Sequence, residues 1–153
     1  MQHLDHHDAE ILLRLYELRR EEKLRQARSW FIGQYRPESR EEFMKRFPPS
    51  SPENAYWRMV VSYWEMASSL LNHGLINEDL FFESNGELWA VWMKLEPSLG
   101  EIRERSKDPR AFANLETAGK KYEAWMEKRA PGALTARRAM LEALSKTLSQ
   151  TAP

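Results

Sequence analysis

The chain has 153 residues, of which 42% are hydrophobic and 30% charged, with equal numbers of acidic and basic side chains and no cysteine. This size and balance are typical of one globular domain and exclude a disordered chain. The absence of cysteine excludes disulfides, zinc sites with thiolate ligands and a cysteine nucleophile. We see no signal peptide and no apolar run near the ~20 residues of a membrane span, and therefore expect a cytoplasmic protein.

The charge is uneven along the chain. Acidic residues outnumber basic ones over 75–104, and basic residues outnumber acidic ones over 105–146. Either these segments face each other in the fold or in a dimer, or the C-terminal half meets an anionic partner. We favour the first interpretation because a basic excess alone is weak evidence. The neutral overall charge argues against nucleic-acid binding.

The N-terminal third reads as helix. Asp8 is a predicted N-cap, and apolar side chains then recur at helical spacing up to Gly33, which predicts one long helix with a charged stretch at 17–23. Ser39 has the spacing of a capping box and predicts a short helix. A proline-rich linker follows at 48–52.

The segment 52–73 predicts the central helix of the fold. Pro52 suits the first helical position, and Gly74 suits the position just after the last turn. Apolar side chains cover an arc of roughly 220°, at 100° per residue. A helix that is apolar over so wide an arc is contacted on several sides.

The C-terminal half also reads as helix. Asn77 caps a short helix, and a longer apolar series follows that contains Pro97, where we expect a kink or a restart. Asp108 and the proline after it predict the start of the next helix, and 131–132 end it. A last helix covers about 134–148. No segment alternates as a strand does, so the fold class is all-α.

The predicted architecture is a single domain over 1–153, an irregular bundle of six to eight helices. The ends, 1–7 and 150–153, are expected to be disordered. No P-loop, dinucleotide-binding, nucleophile-elbow, H-E-x-x-H or E-x-x-H motif is present. We therefore favour a protein without enzymatic activity and without a cofactor, although acid–base chemistry needs no local motif.

A polar strip interrupts the apolar surface of the predicted central helix. The strip consists of Arg58, Ser62, Glu65, Ser69 and Asn72. Arg58 and Glu65 are two turns apart, about 10.5 Å along the axis, so each needs a partner elsewhere, with Lys94 or Arg103 as candidates for Glu65. We favour a structural network that fixes helix register. The alternative is a small-molecule pocket walled by Trp57 and Trp64.

Histidines provide a weaker candidate site for a metal. A free amine at Met1 with His3 can bind Cu(II) or Ni(II), and His3 and His7 are four residues apart. Short polar termini often contain such residues by chance, so we favour a reading without metal. His73 follows the central helix, where a protonated imidazole is favourable for electrostatic reasons.

The middle of the chain carries a recognisable block. Its motifs are Ser62-Tyr63-Trp64-Glu65-Met66-Ala67, Asn72-His73-Gly74, Leu80-Phe81-Phe82, Gly86-Glu87, Lys94, Pro97 and Arg103. This block, together with the first helix, resembles a family of bacterial all-helical domains of unknown function. The resemblance covers roughly Ile11 to Trp125. It implies a bacterial source and a self-contained helical unit, and it implies no activity and no catalytic residue.

Three hypotheses on function follow. The first is a non-enzymatic interaction or scaffold domain that binds a protein partner or associates with itself. The second is a small-molecule or metal sensor that uses Arg58, Glu65 and Asn72. The third is an enzyme of unrecognised type with Glu65 as acid or base, which requires Glu65 to lie in a cleft.

Overall fold

The computed structural model describes residues 3–150, with side chains described through residue 147. This part of the chain contains helices and no strand, which confirms the predicted all-α class. The helices are α1 (His6–Arg19), α2 (Glu22–Gly33), α3 (Arg40–Arg46), α4 (Pro52–Asn72), α5 (Glu78–Ser84), α6 (Glu87–Ser106), α7 (Ala113–Arg129) and α8 (Ala133–Gln150). Of the residues for which disorder is predicted, 1–2 and 151–153 lie outside the described part, whereas His6 and His7 belong to α1 and Gln150 belongs to α8.

The predicted long first helix is wrong, because the chain forms two helices there. Glu21 leaves the helical conformation, and its carboxylate accepts hydrogen bonds from the amides of Lys23 (3.1 Å) and Leu24 (2.9 Å), which starts α2. The sequence has no glycine or proline at this point, and its apolar periodicity continues across the break. The local pattern therefore predicts one helix where the structure has two. The N-cap of α1 is Asp5, not Asp8, and the helix therefore begins at His6.

Helix α4 is the centre of the bundle, as predicted. It packs on α2, α6 and α7. Val60, Trp64 and Ala67 are completely buried along it. The helix ends at Asn72, and Gly74 adopts a left-handed conformation with φ 71°. The wide apolar arc of this segment thus has the physical origin inferred from the sequence.

Helix α6 is continuous through Pro97, so the chain does not restart there. Its packing on α7 depends on a close approach at Gly119. A methyl group added at Gly119 would lie 2.4 Å from Cγ of Trp92. Only glycine fits between these two helices without a shift of the tryptophan.

The start of α7 differs from the prediction. The Asp108 carboxylate accepts a hydrogen bond from the amide of Arg110 (2.9 Å), but the residues after it form turns rather than a helix. Phe112 has a left-handed backbone with φ 56°, and α7 begins only at Ala113. The signal at Asp108 therefore marks a turn that precedes the helix.

Part of the charge asymmetry is internal to the fold. Lys121 of α7 lies 3.3 Å from Glu78 of α5, and Arg129 lies 3.6 Å from Glu83. The acidic and basic segments thus face each other at α5 and α7, as favoured above. No helix within residues 3–150 has both the length and the apolar character that crossing a membrane requires.

Candidate functional site

The most central residue of the polar strip, Glu65, binds the start of α7. Its carboxylate accepts hydrogen bonds from the backbone amides of Leu115 (2.7 Å) and Asn114 (3.3 Å). Phe112, the N-cap residue, makes no side-chain cap of its own. Glu65 therefore supplies the missing cap from another helix, and its negative charge meets the positive end of the α7 dipole.

Asn114 connects Glu65 and Asn72 of the polar strip. Its side-chain amide donates to Glu65 Oε1 (3.0 Å), while Nδ2 of Asn72 donates to the Asn114 carbonyl (3.0 Å) and to its Oδ1 (3.2 Å). Sequence reasoning missed Asn114, because nothing in its local pattern marks it as a partner of α4. These contacts support the favoured interpretation that the polar strip is a structural network.

The remaining members of the polar strip bond within their own helix. Nε of Arg58 donates to Asn54 Oδ1 (3.0 Å), and Oγ of Ser62 donates to the Met59 carbonyl (3.3 Å). Ser69 contacts His73, whose Nδ1 lies 2.8 Å from the Ser69 carbonyl oxygen. Arg58 and Ser62 are exposed.

The predicted pocket walls lie elsewhere, and neither Lys94 nor Arg103 pairs with Glu65 as predicted. Trp57 and Trp64 are buried in the core. Arg103 pairs with Glu116 at 2.6 Å and not with Glu65. A ligand at the polar strip stays a prediction, and the geometry gives it no support beyond the exposure of Arg58 and Ser62.

The histidines at the N-terminus are exposed. The His7 ring lies 4.2 Å from that of His6, centroid to centroid, and its Nδ1 is 3.7 Å from Glu10. His3 is described but has no metal-ligating cluster around it: within residues 3–147 no three His, Asp or Glu side chains come together as a metal would require. The amine of Met1 lies outside the described residues, so that metal site stays a prediction.

Lys94 is a buried basic residue whose partners the sequence did not predict. It is only 6% exposed, and its ammonium donates to the carbonyls of Phe31 (2.8 Å), Ile32 (2.8 Å) and Tyr35 (2.7 Å). These carbonyls belong to the C-terminal turn of α2 and the residues after it. Burial, and then the nearby Arg36, lowers the pKa of Lys94 to about 8.

A cavity lies beside Lys94, between the end of α2, the middle of α6 and α8. We call it the α8 cavity; its volume is about 360 Å³. Apolar side chains form most of its wall, and four basic residues with one acid complete it. The wall comprises Tyr35, Arg36, Pro37, Met93, Lys94, Pro97, Arg138, Leu141, Glu142, Ser145 and Lys146.

A second concave surface follows α4 where α1 and α2 leave it uncovered. Two adjoining depressions, of about 350 and 440 Å³, share Leu18 and Met66. We call their sum the α4 groove. Its lining is Glu10, Ile11, Arg14, Leu15, Leu18, Glu21, Leu24, Met59, Ser62, Tyr63, Met66 and Leu70. The groove is long, shallow and mostly apolar, which suits a helix better than a compact ligand.

The model of one protein family, described as Domain of unknown function (DUF4760), matches residues 4–122. The chain belongs to this family. No curated protein and no solved structure matches the chain. Membership of the DUF4760 family confirms the resemblance to an uncharacterised family of domains, and it assigns no activity.

The DUF4760 match does not extend to the last helix of the fold. It covers α1 to α6 and ends at Tyr122, inside α7. The α4 groove therefore lies within the matched range. Helix α8 lies outside it, so one wall of the α8 cavity comes from a part of this chain that the family model does not match.

Proposed function

We propose that the protein is a non-enzymatic helical interaction domain, and that the α4 groove binds the outer face of α8 of a second copy. The observation that carries this proposal is the exposure of large apolar side chains on both surfaces. A cytoplasmic location and a bacterial source, predicted from the sequence, accompany this function as proposals.

The groove side has two apolar side chains at its centre. Leu18 is 46% exposed and Met66 is 40% exposed, and both border the two depressions of the α4 groove. Met59 adds a second methionine, and flexible thioether side chains adapt to a partner surface. Grooves of this type bind the apolar face of an amphipathic helix.

Helix α8 offers such a face. Its inner residues Leu134 and Leu141 pack against the core. Its outer residues Met140 and Leu144 are one turn apart and are 71% and 46% exposed, and Ala136 extends the same face by another turn. A helix that is apolar on both sides is stabilised when a second surface covers its outer face.

The α4 groove and helix α8 have net charges of opposite sign. Glu10 and Glu21 border the α4 groove, with Arg14 as the single base. The part of α8 with described side chains, 133–147, has three basic residues and one acid. Opposite charges at the edge of an interface orient the partners and favour association. This complementarity favours a second copy over an unrelated apolar helix.

The test is analytical ultracentrifugation of the full chain over a range of concentrations. We expect Met66→Glu, which alters the groove, and Met140→Glu, which alters α8, each to abolish self-association. A mixture of the two variants retains one intact groove and one intact α8, so it should form a heterodimer. Leu75→Glu is the matched control, since Leu75 is exposed (55%) but lies on neither surface.

Two results would contradict the proposal. One is a wild-type chain that stays monomeric at the highest soluble concentration. The other is self-association that Met140→Glu abolishes and that the mixture does not restore, since this pattern indicates that α8 pairs with α8 of the second copy.

A further inference from the structure

The α8 cavity combines an apolar interior with basic side chains at its edge, of which Arg138 and Lys146 form no ion pair within the described residues. Tyr35, Met93, Pro97 and Leu141 contribute apolar surface, and the volume of about 360 Å³ lies at the lower end of the ~300–1,000 Å³ found for small-molecule sites. An apolar cavity with a few polar groups on one side favours a ligand that has an apolar body and a polar group at one end. The ligand must therefore be small and amphipathic.

The sign of the ligand's charge follows from the basic side chains of α8. Arg138 and Lys146 both border the cavity, two turns apart on the helix. Within the described part of the chain neither forms an ion pair; Arg138 only stacks on the Trp89 ring, at 5.6 Å. Basic residues without a partner beside an apolar cavity favour an anion.

The other two cations of the cavity have structural roles. Lys94 directs its three ammonium hydrogens to the carbonyls at the end of α2, and Arg36 donates to the Ser145 carbonyl of α8. Their charges still add to a positive potential, since Arg36 is one cause of the lowered pKa of Lys94. Glu142 is the single acid on the wall.

We propose that the α8 cavity binds a small amphipathic carboxylate, with its apolar body between α6 and α8 and its carboxylate on Arg138 and Lys146. The site is separate from the α4 groove and from the apolar outer face of α8, although Arg138 and Lys146 are two of the three basic residues of α8 counted toward self-association. Because α8 forms one wall, the bound carboxylate also holds α8 on the bundle. This gives the excess of basic residues in the C-terminal half an anionic partner.

The test uses octanoate as the probe and isothermal titration calorimetry on the full chain. We expect saturable binding of one octanoate per chain, and slower amide hydrogen exchange in α8 when it is bound. The double variant Arg138→Glu/Lys146→Glu should bind about tenfold more weakly or worse. The control Arg110→Glu/Lys128→Glu makes the same charge change at two exposed residues away from the cavity and should bind like the wild type.

A second variant tests the apolar half of the site. Met93→Trp places a larger side chain in the cavity and should abolish octanoate binding, while circular dichroism shows that the helices remain. Equal binding of neutral 1-octanol would overturn the role of the two cations, and an equal effect of inorganic phosphate would overturn the role of the apolar wall. Absence of octanoate binding, or binding that the control variant loses equally, would overturn the site itself.

Discussion

Glu65 and Lys94 are charged side chains that each bond to the end of another helix. Glu65 of α4 accepts hydrogen bonds from the amides at the start of α7, and Lys94 of α6 donates hydrogen bonds to the carbonyls at the end of α2. Each charge has the sign that the helix dipole favours at that end. In both regions a side chain of another helix satisfies a helix end, and the two side chains have opposite charges.

The two regions differ in how deeply the charge is buried. Lys94 is 6% exposed, and its pKa is lowered to about 8, whereas the Glu65 side chain stays partly exposed. A buried charge has lost its water and depends on its protein partners, while a partly exposed charge retains some hydration. The comparison therefore predicts that Lys94 is more important for stability and more sensitive to pH.

The largest expected effect is that of Lys94→Met. The variant keeps most of the side-chain volume but leaves the carbonyls of Phe31, Ile32 and Tyr35 without their donor. We expect the free energy of unfolding to fall by about 3 kcal/mol, measured by urea denaturation at pH 7. Lys128→Met is the control, because Lys128 is exposed, and a loss of similar size in it would refute a special role for Lys94.

The next effect is a dependence of stability on pH. Unfolded Lys94 returns to its ordinary pKa of 10.5, so between about pH 8 and 10.5 the unfolded chain binds more protons than the folded one. The free energy of unfolding therefore rises with pH, by about 2 kcal/mol from pH 8 to 10, and this part of the rise is missing in Lys94→Met.

The free energy of unfolding stops rising near pH 10 because of Tyr63. The Tyr63 phenol donates to the Leu15 carbonyl (2.8 Å), and burial raises its pKa to about 12. Above pH 10 the phenol therefore ionises in the unfolded chain before it does so in the folded one, and the free energy of unfolding falls. Urea denaturation of wild type and Lys94→Met at one-unit steps measures the difference. Parallel curves for the two proteins would show that Lys94 keeps its proton throughout.

The smallest effect is expected for Glu65→Gln. A glutamine can still accept one bond from the start of α7, but it loses the charge and places a donor beside the other amide. We expect a loss of about 1.5 kcal/mol, and weaker amide protection in the first turn of α7 by hydrogen exchange. Glu96→Gln, at an exposed position of α6, is the matched control. An unchanged first turn in Glu65→Gln would remove Glu65 as the cap.

The sequence predicted the candidate residues better than their roles. The pattern marks Glu65 and Asn72 as polar side chains on an apolar helix and favours a structural network. The sequence predicts Lys94 only as a candidate partner for Glu65, because a lysine in an apolar stretch carries no local sign of the helix end that it contacts. Its partners precede it by about sixty residues, a separation that periodicity does not reach.

Local patterns by themselves determined the helical class, the central helix and the short-range caps. Ser39 and Asn77 each accept a hydrogen bond from the amide three residues further along, so residues within one turn of helix determine their role as caps. Tertiary structure alone decided what satisfies the end of α2, where α7 begins, and that α8 forms one wall of a cavity. The reason is that a helix end needs any suitable donor or acceptor in space, and here Glu65 and Lys94 come from distant parts of the chain.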